Sequence, residues 1–94
     1  MFVRVVRFAD VTPERVEGLL ARIEQDDGPP PGIPIKGLQM LVDQSQGTAI
    51  VLQLFDTADD MRTGAEAFAA MDAGETPGTR VSVDVCELKL DRRV

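Results

Sequence analysis

Five side chains of this sequence have the chemistry to bind or transform a small molecule: Arg4, Gln39, Gln53, Asp84 and Cys86. We expect Arg4 and Asp84 to lie on adjacent strands with their side chains on one face. Arginine can bind an anionic or enolate oxygen there while the aspartate accepts a proton, and the glutamine amides can orient the bound molecule. The structural alternative is that the two charges only neutralise each other as an ion pair across a cavity.

The single cysteine and the lack of histidine exclude several kinds of chemistry. Cys86 is more simply a small buried strand residue than a nucleophile, because no histidine is present to activate it. An intramolecular disulfide, a multi-cysteine metal site and a haem iron held by histidine are excluded. The acidic pairs at 26–27 and 59–60 lack further ligands at defined spacing. We therefore expect no metal ion and no cofactor.

Periodicity and turn chemistry indicate the elements that must position these residues. Apolar residues alternate over residues 2–8, 35–43, 48–55 and 79–90, which predicts four strands. Thr12 before Pro13, and Thr57 three residues before Asp60, have the form of helix N-caps, and apolar residues at helical spacing follow both. With a turn at residues 44–47, the order is β-α-β-β-α-β in a single domain over residues 1–94.

This order predicts the ferredoxin-like βαββαβ fold, an α+β architecture with a four-stranded antiparallel sheet and two helices on one face. We expect the first strand to be central, flanked by the third and the fourth. The side of the sheet that faces the helices would then be uniformly apolar and form the core. Its predicted residues are Val3, Val5, Leu38, Met40, Val42, Ile50, Leu52, Leu54, Val81, Val83 and Val85.

The opposite face of the predicted sheet is too apolar to be left in water. Its apolar residues are Phe2, Val6, Phe8, Leu41, Val51, Phe55, Leu88 and Leu90. A monomer would expose a patch larger than soluble proteins normally carry. We therefore predict a homodimer that packs sheet to sheet, with these eight residues as the interface. The polar Arg4, Gln39, Gln53 and Asp84 would be enclosed with them as a candidate ligand site.

Charge and hydropathy restrict the partners further. Sixteen acidic against ten basic residues give a net charge of −6, so nucleic acid and anionic membranes would be repelled. No apolar run approaches the ~20 residues that span a bilayer, and the N-terminus alternates instead of forming a signal-peptide block. We expect a cytoplasmic protein. The proline-rich segment 28–34 is a stiff spacer or, alternatively, a lid that closes on a ligand.

The run Gly47-Thr-Ala-Ile-Val-Leu-Gln-Leu-Phe-Asp-Thr-Ala-Asp-Asp-Met61 takes a strand through Phe-Asp-Thr into a capped helix. With the element order and the two-faced sheet, it resembles the dimeric α+β barrel superfamily, especially antibiotic biosynthesis monooxygenase-like domains. The resemblance covers nearly the whole chain. It implies a homodimer whose two sheets form a barrel, with a pocket for a small apolar or aromatic ligand between each sheet and its helices or within the barrel.

Two functions are open at this point. The resemblance implies a cofactor-independent monooxygenase-like or isomerase-like enzyme acting on a small, largely apolar molecule. The alternative is a non-catalytic homodimeric binding or structural module. The chain contains no Trp, Tyr, His or Asn, the residue types that the characterised oxygenases of the superfamily use in the pocket, so the resemblance identifies no catalytic residue. An enclosed cavity lined by Arg4 would favour the enzyme, and a filled interface the module.

Overall fold

The computed structural model describes residues 1–25, 33–69 and 76–93. The elements are β1 (Phe2–Ala9), α1 (Pro13–Gln25), β2 (Gly37–Asp43), β3 (Thr48–Phe55), α2 (Ala58–Ala69) and β4 (Thr79–Glu87). The strands form one antiparallel sheet in the order β2-β3-β1-β4. The predicted ferredoxin-like fold, with the first strand between the third and the fourth, is therefore confirmed.

Both helices begin at the caps that the sequence predicts. The backbone N–H of Arg15 donates to Thr12 Oγ1 at 3.3 Å, and the N–H of Asp60 donates to Thr57 Oγ1 at 3.0 Å. Each bond satisfies one of the N–H groups that the first turn of a helix leaves without an intrahelical partner. Because Thr57 lies two residues after the end of β3, α2 turns back over the sheet at once.

The β2–β3 hairpin closes at the pair Asp43 and Thr48, with residues 44–47 as its turn. Gly47 has a positive φ of 66°, a conformation that glycine adopts without steric cost. The Asp43 carboxylate accepts a hydrogen bond from the Ser45 hydroxyl at 2.7 Å. This bond and one from Gln46 hold the pKa of Asp43 below its usual value. The turn length also sets the register, so Met40 lies opposite Val51.

The two helices cover one surface of the sheet, which we call the helix face, and the other surface is the open face. Phe55 lies on the helix face with 0% exposure, and α2 has Gly64 directly above it: a Cβ at Gly64 would be 2.5 Å from Phe55 Cε1. A second buried cluster on the same face is Val6, Phe8, Val11, Val16 and Ala49, with Met40, Val42 and Val51 packed against it.

For β1 and β3, the residues predicted to face the helices are the wrong ones. For β2, the prediction that Met40 and Val42 face the helices is confirmed. On the helix face, Phe2, Arg4, Val6 and Phe8 lie opposite Phe55, Gln53, Val51 and Ala49. On the open face lie Val3, Val5, Ile50, Leu52 and Leu54, which were expected in the core. Both faces of these two strands are apolar, so alternation does not distinguish them. The prediction placed Arg4 and Gln53 on the face away from the helices because they are polar. The fold instead buries them under the helices as a hydrogen-bonded pair.

The edge strand β4 is less covered than predicted. Val83 and Val85 do lie on the helix face, opposite Val6 and Arg4, yet they are 38% and 64% exposed. The strand ends at Glu87 rather than at residue 90. The helices therefore leave an apolar surface uncovered beside the central strand.

A β-bulge changes the direction of side chains near the start of β4. Arg7 pairs with Ser82 and Phe8 pairs with Arg80, so Val81 is an extra residue between them. An inserted residue moves the side chains beyond it to the other face. Arg80 therefore lies on the helix face, where unbroken alternation would put it on the open face. Val81, which was expected in the core, is exposed.

Candidate functional site

Arg4 lies in the middle of the central strand, with Gln53 beside it on β3. Arg4 Nη1 donates to Gln53 Oε1 at 2.8 Å, and both residues are only 6% exposed. Burial removes water from the guanidinium and lowers the pKa of Arg4, and the charge of Arg80 lowers that pKa further. Arginine nevertheless stays protonated in proteins. The helix face thus holds a positive charge at a position where an apolar side chain would be expected.

The neighbours of this pair on the sheet are apolar. Phe55 and Val51 flank Gln53 along β3, and Val85 lies opposite Arg4 on β4. Because Val85 is mostly exposed, the surface next to Arg4 that a ligand can reach lies over β4. We call this surface the Arg4 site; it consists of Arg4 and Gln53 with the adjoining Val83 and Val85.

Asp84 is not part of the Arg4 site. It pairs with Val5 and lies on the open face, where its Oδ2 is 3.6 Å from Arg7 Nε, with both side chains about half exposed. The prediction that Asp84 faces Arg4 is wrong, because the register places Val85 opposite Arg4. The predicted ion pair of Asp84 exists with a different arginine on the other face.

The other two predicted site residues also lie on the open face. Gln39 pairs with Leu52, and Cys86 pairs with Val3. Both are exposed, so the expectation of a buried Cys86 is wrong. The five predicted site residues are therefore divided: the structure brings Arg4 and Gln53 together and separates them from the rest.

The eight residues predicted for the dimer interface are divided as well. Five lie on the helix face, and three of these are buried within the single chain: Val6, Phe8 and Phe55. Leu41 lies on the open face and is exposed, and Leu88 and Leu90 follow the end of β4 and are exposed. The open face itself is still apolar, but its residues are Val3, Val5, Ile50, Leu52 and Leu54 together with Leu41.

A depression of about 310 Å³ lies at the β2–β3 hairpin, lined among others by Leu41, Asp43 and Ile50. Neither Arg4 nor Gln53 lines it, so it is not the Arg4-lined cavity that would favour an enzyme. Within residues 1–25, 33–69 and 76–93, no group of three or more potential metal ligands occurs, and no helix is long and apolar enough to cross a membrane. Most of the segment 28–34, the candidate lid, lies outside the described residues, and its role stays a prediction.

Two solved structures share this fold over nearly their whole length. The crystal structure of a mutant of MhuD in which a serine replaces an arginine, with two manganese protoporphyrin IX molecules bound per active site, has a TM-score of 0.62 at 15% identity and covers 100% of both chains. A provisional antibiotic biosynthesis monooxygenase from Deinococcus radiodurans has a TM-score of 0.52 at 15% identity, over 100% of this chain and 96% of the other. No family model and no curated protein matches the sequence.

Proposed function

We propose that this chain, whose fold is that of the antibiotic biosynthesis monooxygenase-like dimeric α+β barrel proteins, is a homodimer that binds a small, largely apolar molecule at the Arg4 site. The observation that carries the proposal is the burial of Arg4, a charged residue that is 6% exposed and has apolar neighbours on the sheet. Burying a charge costs free energy, and replacing a buried ion pair by apolar residues is often neutral or stabilising. A role in ligand binding accounts for keeping such a charge.

The chemistry of the pair suits an oxygen that carries negative charge. A guanidinium in a partly dry site forms shorter and stronger hydrogen bonds to an anionic oxygen than to a neutral one. The 2.8 Å bond to Gln53 holds the guanidinium in one orientation before a ligand arrives. Arg4 would bind a carboxylate, phenolate or enolate oxygen, while the body of the ligand packs on Val83 and Val85.

Whether the site catalyses a reaction depends on a proton acceptor. Asp84, the predicted acceptor, lies on the open face beside Arg7. A monooxygenase-like or isomerase-like enzyme built on this site would act on a substrate that ionises by itself, with Arg4 stabilising the resulting anion. The second candidate, a non-catalytic binding module, needs no such group, and the position of Asp84 favours it. A haem iron held by histidine does not fit the chain, which contains none.

The homodimer is proposed through the open face. Its apolar residues on β1 and β3 form a continuous surface that water would otherwise contact, as expected of an association site. The Arg7–Asp84 pair would be enclosed at one side of this interface. The residues differ from those predicted from the sequence, but the physical reason for a partner is unchanged: both faces of the sheet are apolar.

The ligand proposal can be tested by native mass spectrometry of the protein purified from its own host. We expect the wild type to retain a small molecule and the variant Arg4→Gln to lose it, while sedimentation velocity shows the same dimer for both. Arg92→Gln, on the exposed C-terminal tail, changes the net charge equally and should keep the ligand. Equal occupancy in all three proteins, or loss of ligand and dimer together in Arg4→Gln, would contradict a ligand role for Arg4.

The dimer proposal needs a variant of the open face. Leu52→Lys places a charge in the middle of β3 on that face, and we expect it to sediment as a monomer where the wild type is a dimer. Leu20→Lys on α1, where the leucine is already exposed, is the matched control and should stay dimeric. A dimeric Leu52→Lys protein would refute the proposed interface.

A further inference from the structure

The β-bulge in β4 brings a second arginine to the side of the sheet that carries Arg4. Arg80 lies opposite Phe8 because Val81 is inserted before Ser82. Phe8 and Arg4 share the helix face of β1, and Val6 stands between them. Without the bulge, Arg80 would alternate onto the open face. Bulges that re-aim a side chain in this way are common next to functional sites.

Arg4 and Arg80 lie on the same face of the sheet, with Val6 and Val83 between their positions. The positive charge of Arg80 lowers the pKa of Arg4, in addition to the larger effect of burial. Like charges repel, and an anion bound beside both arginines would relieve that repulsion. Glu87 also lies on the helix face, but it is opposite Phe2 and its Oε1 is 3.2 Å from Lys89 Nζ.

An apolar surface joins the two cations. Val6 and Val83 are paired between the positions of Arg4 and Arg80, and Val85 lies opposite Arg4. Val6 is buried, whereas Val83 and Val85 are open to solvent. A ligand that covers the two exposed valines therefore lies beside both arginines.

We propose that the ligand of the Arg4 site is an amphipathic organic acid, whose apolar body lies on Val83 and Val85 and whose anionic group is bound by Arg4 and Arg80 together. This proposal rests on the proposed function and specifies its ligand class. Arg4 supplies a buried, oriented donor, and Arg80 supplies a second positive charge at the solvent side. Together they select an anion over a neutral molecule of the same shape.

Two fluorescent probes with nearly the same aromatic body separate charge from shape. 1-Anilinonaphthalene-8-sulfonate is an anion, and N-phenyl-1-naphthylamine is its neutral counterpart. We expect the wild-type dimer to bind the anion more tightly. Arg80→Gln should weaken binding of the anion about three- to five-fold, as for an exposed charge pair, and leave the neutral probe unchanged. Arg80→Lys should restore most of the loss, and added salt should weaken only the anion.

Arg92→Gln removes the same charge from the exposed tail and should bind both probes like the wild type. Circular dichroism and thermal unfolding would verify that all variants are folded. If the wild type binds neither probe, both this proposal and the proposed function fail. If it binds both probes but Arg80→Gln leaves their ratio unchanged, or lowers both affinities equally, the proposal of an acidic ligand fails while apolar binding at the site stands.

Discussion

Gly64→Ala should destabilise the protein, although alanine is the better helix former. Gly64 is buried in the middle of α2, and a Cβ there would lie 2.5 Å from Cε1 and 2.7 Å from Cζ of Phe55. Carbon atoms in contact are normally about 3.5–4.0 Å apart. The ring or the helix must therefore move. Because Phe55 is 0% exposed, its ring has no solvent to move into.

The size of the effect follows from two opposing terms. Alanine in place of glycine within a helix gains about 1 kcal/mol of stability. Overpacking a filled core costs about 1–3 kcal/mol. We expect a net loss of about 1 kcal/mol, which for a domain of this size lowers Tm by roughly 4–8 °C.

Chemical denaturation of Gly64→Ala and Gly18→Ala provides the measurement with its matched control. Gly18 lies in α1, and nothing is within 4 Å of a Cβ placed there. Gly18→Ala should therefore stabilise the protein by up to about 1 kcal/mol through helix propensity alone. In the background Phe55→Leu, which shortens the side chain below α2, the cost of Gly64→Ala should shrink.

Equal stabilisation by the two alanine variants would show that Phe55 does not lie under Gly64. That result would matter for the site as well. Phe55 and Gln53 are two residues apart on one strand and share a face, so moving Phe55 to the open face would also move Gln53 and Arg4 there. The experiment thus tests the face on which the Arg4 site lies without requiring a ligand.

Three further outcomes are expected. Thr57→Ala removes the acceptor of the Asp60 N–H and should cost about 1 kcal/mol in a thermal or denaturant melt. An NMR titration should show Asp43 with a lowered pKa, and Ser45→Ala should raise it; the stabilisation from this carboxylate is present above its unfolded-state pKa and is lost as the pH falls through the folded one. Asp84→Asn removes an exposed ion pair and should change the free energy of unfolding by less than about 1 kcal/mol. Sedimentation equilibrium of the same variant should detect a change in the affinity of the dimer.

Local signals were sufficient to predict the fold. Thr12 and Thr57 predict the starts of the helices, and both accept an N-cap hydrogen bond. Gly47 predicts the hairpin turn, where it has a positive φ. The element order then leaves few topologies with right-handed crossovers. These features depend on a few neighbouring residues, so they can be recognised without knowledge of distant contacts.

The faces of β1 and β3 were predicted wrongly, although two signals in the sequence could have corrected them. Because the turn between Asp43 and Thr48 has four residues, each odd-numbered residue of one strand lies opposite an even-numbered residue of the other. Residues that lie opposite each other share a face, so Met40 must share a face with Val51 and not with Ile50. The second signal is size. All three aromatic residues of the sheet fall on one face, Phe2, Phe8 and Phe55, and burying the largest apolar side chains in the core gains the most free energy.

Only part of the site could be predicted, because the position of Arg80 depends on the β-bulge in β4. Arg4 and Gln53 were both predicted as site residues from their type and strand position, but the expected partner of Arg4 was Asp84, and the hydrogen bond from Arg4 to Gln53 was not predicted. Arg80 was not among the predicted site residues, and nothing in the residues around Val81 indicates the bulge that places Arg80 on the observed face of Arg4. Bulges arise where two strands must accommodate each other, so they depend on pairing between segments more than 70 positions apart.

The ambiguity between the faces has a physical cause in the proposed assembly. A strand with one face in solvent alternates apolar and polar residues, whereas a strand buried on both faces is apolar throughout. β1 carries Val3 and Val5 on one face and Val6 and Phe8 on the other, which is the pattern expected if the helices cover one side and a second copy covers the other. Two arginines interrupt this pattern in β1: Arg7 is half exposed and paired with Asp84 on the open face, whereas Arg4 is buried on the helix face. In β1 the buried polar residue is Arg4, and its burial on the helix face is the reason that ligand binding is proposed there.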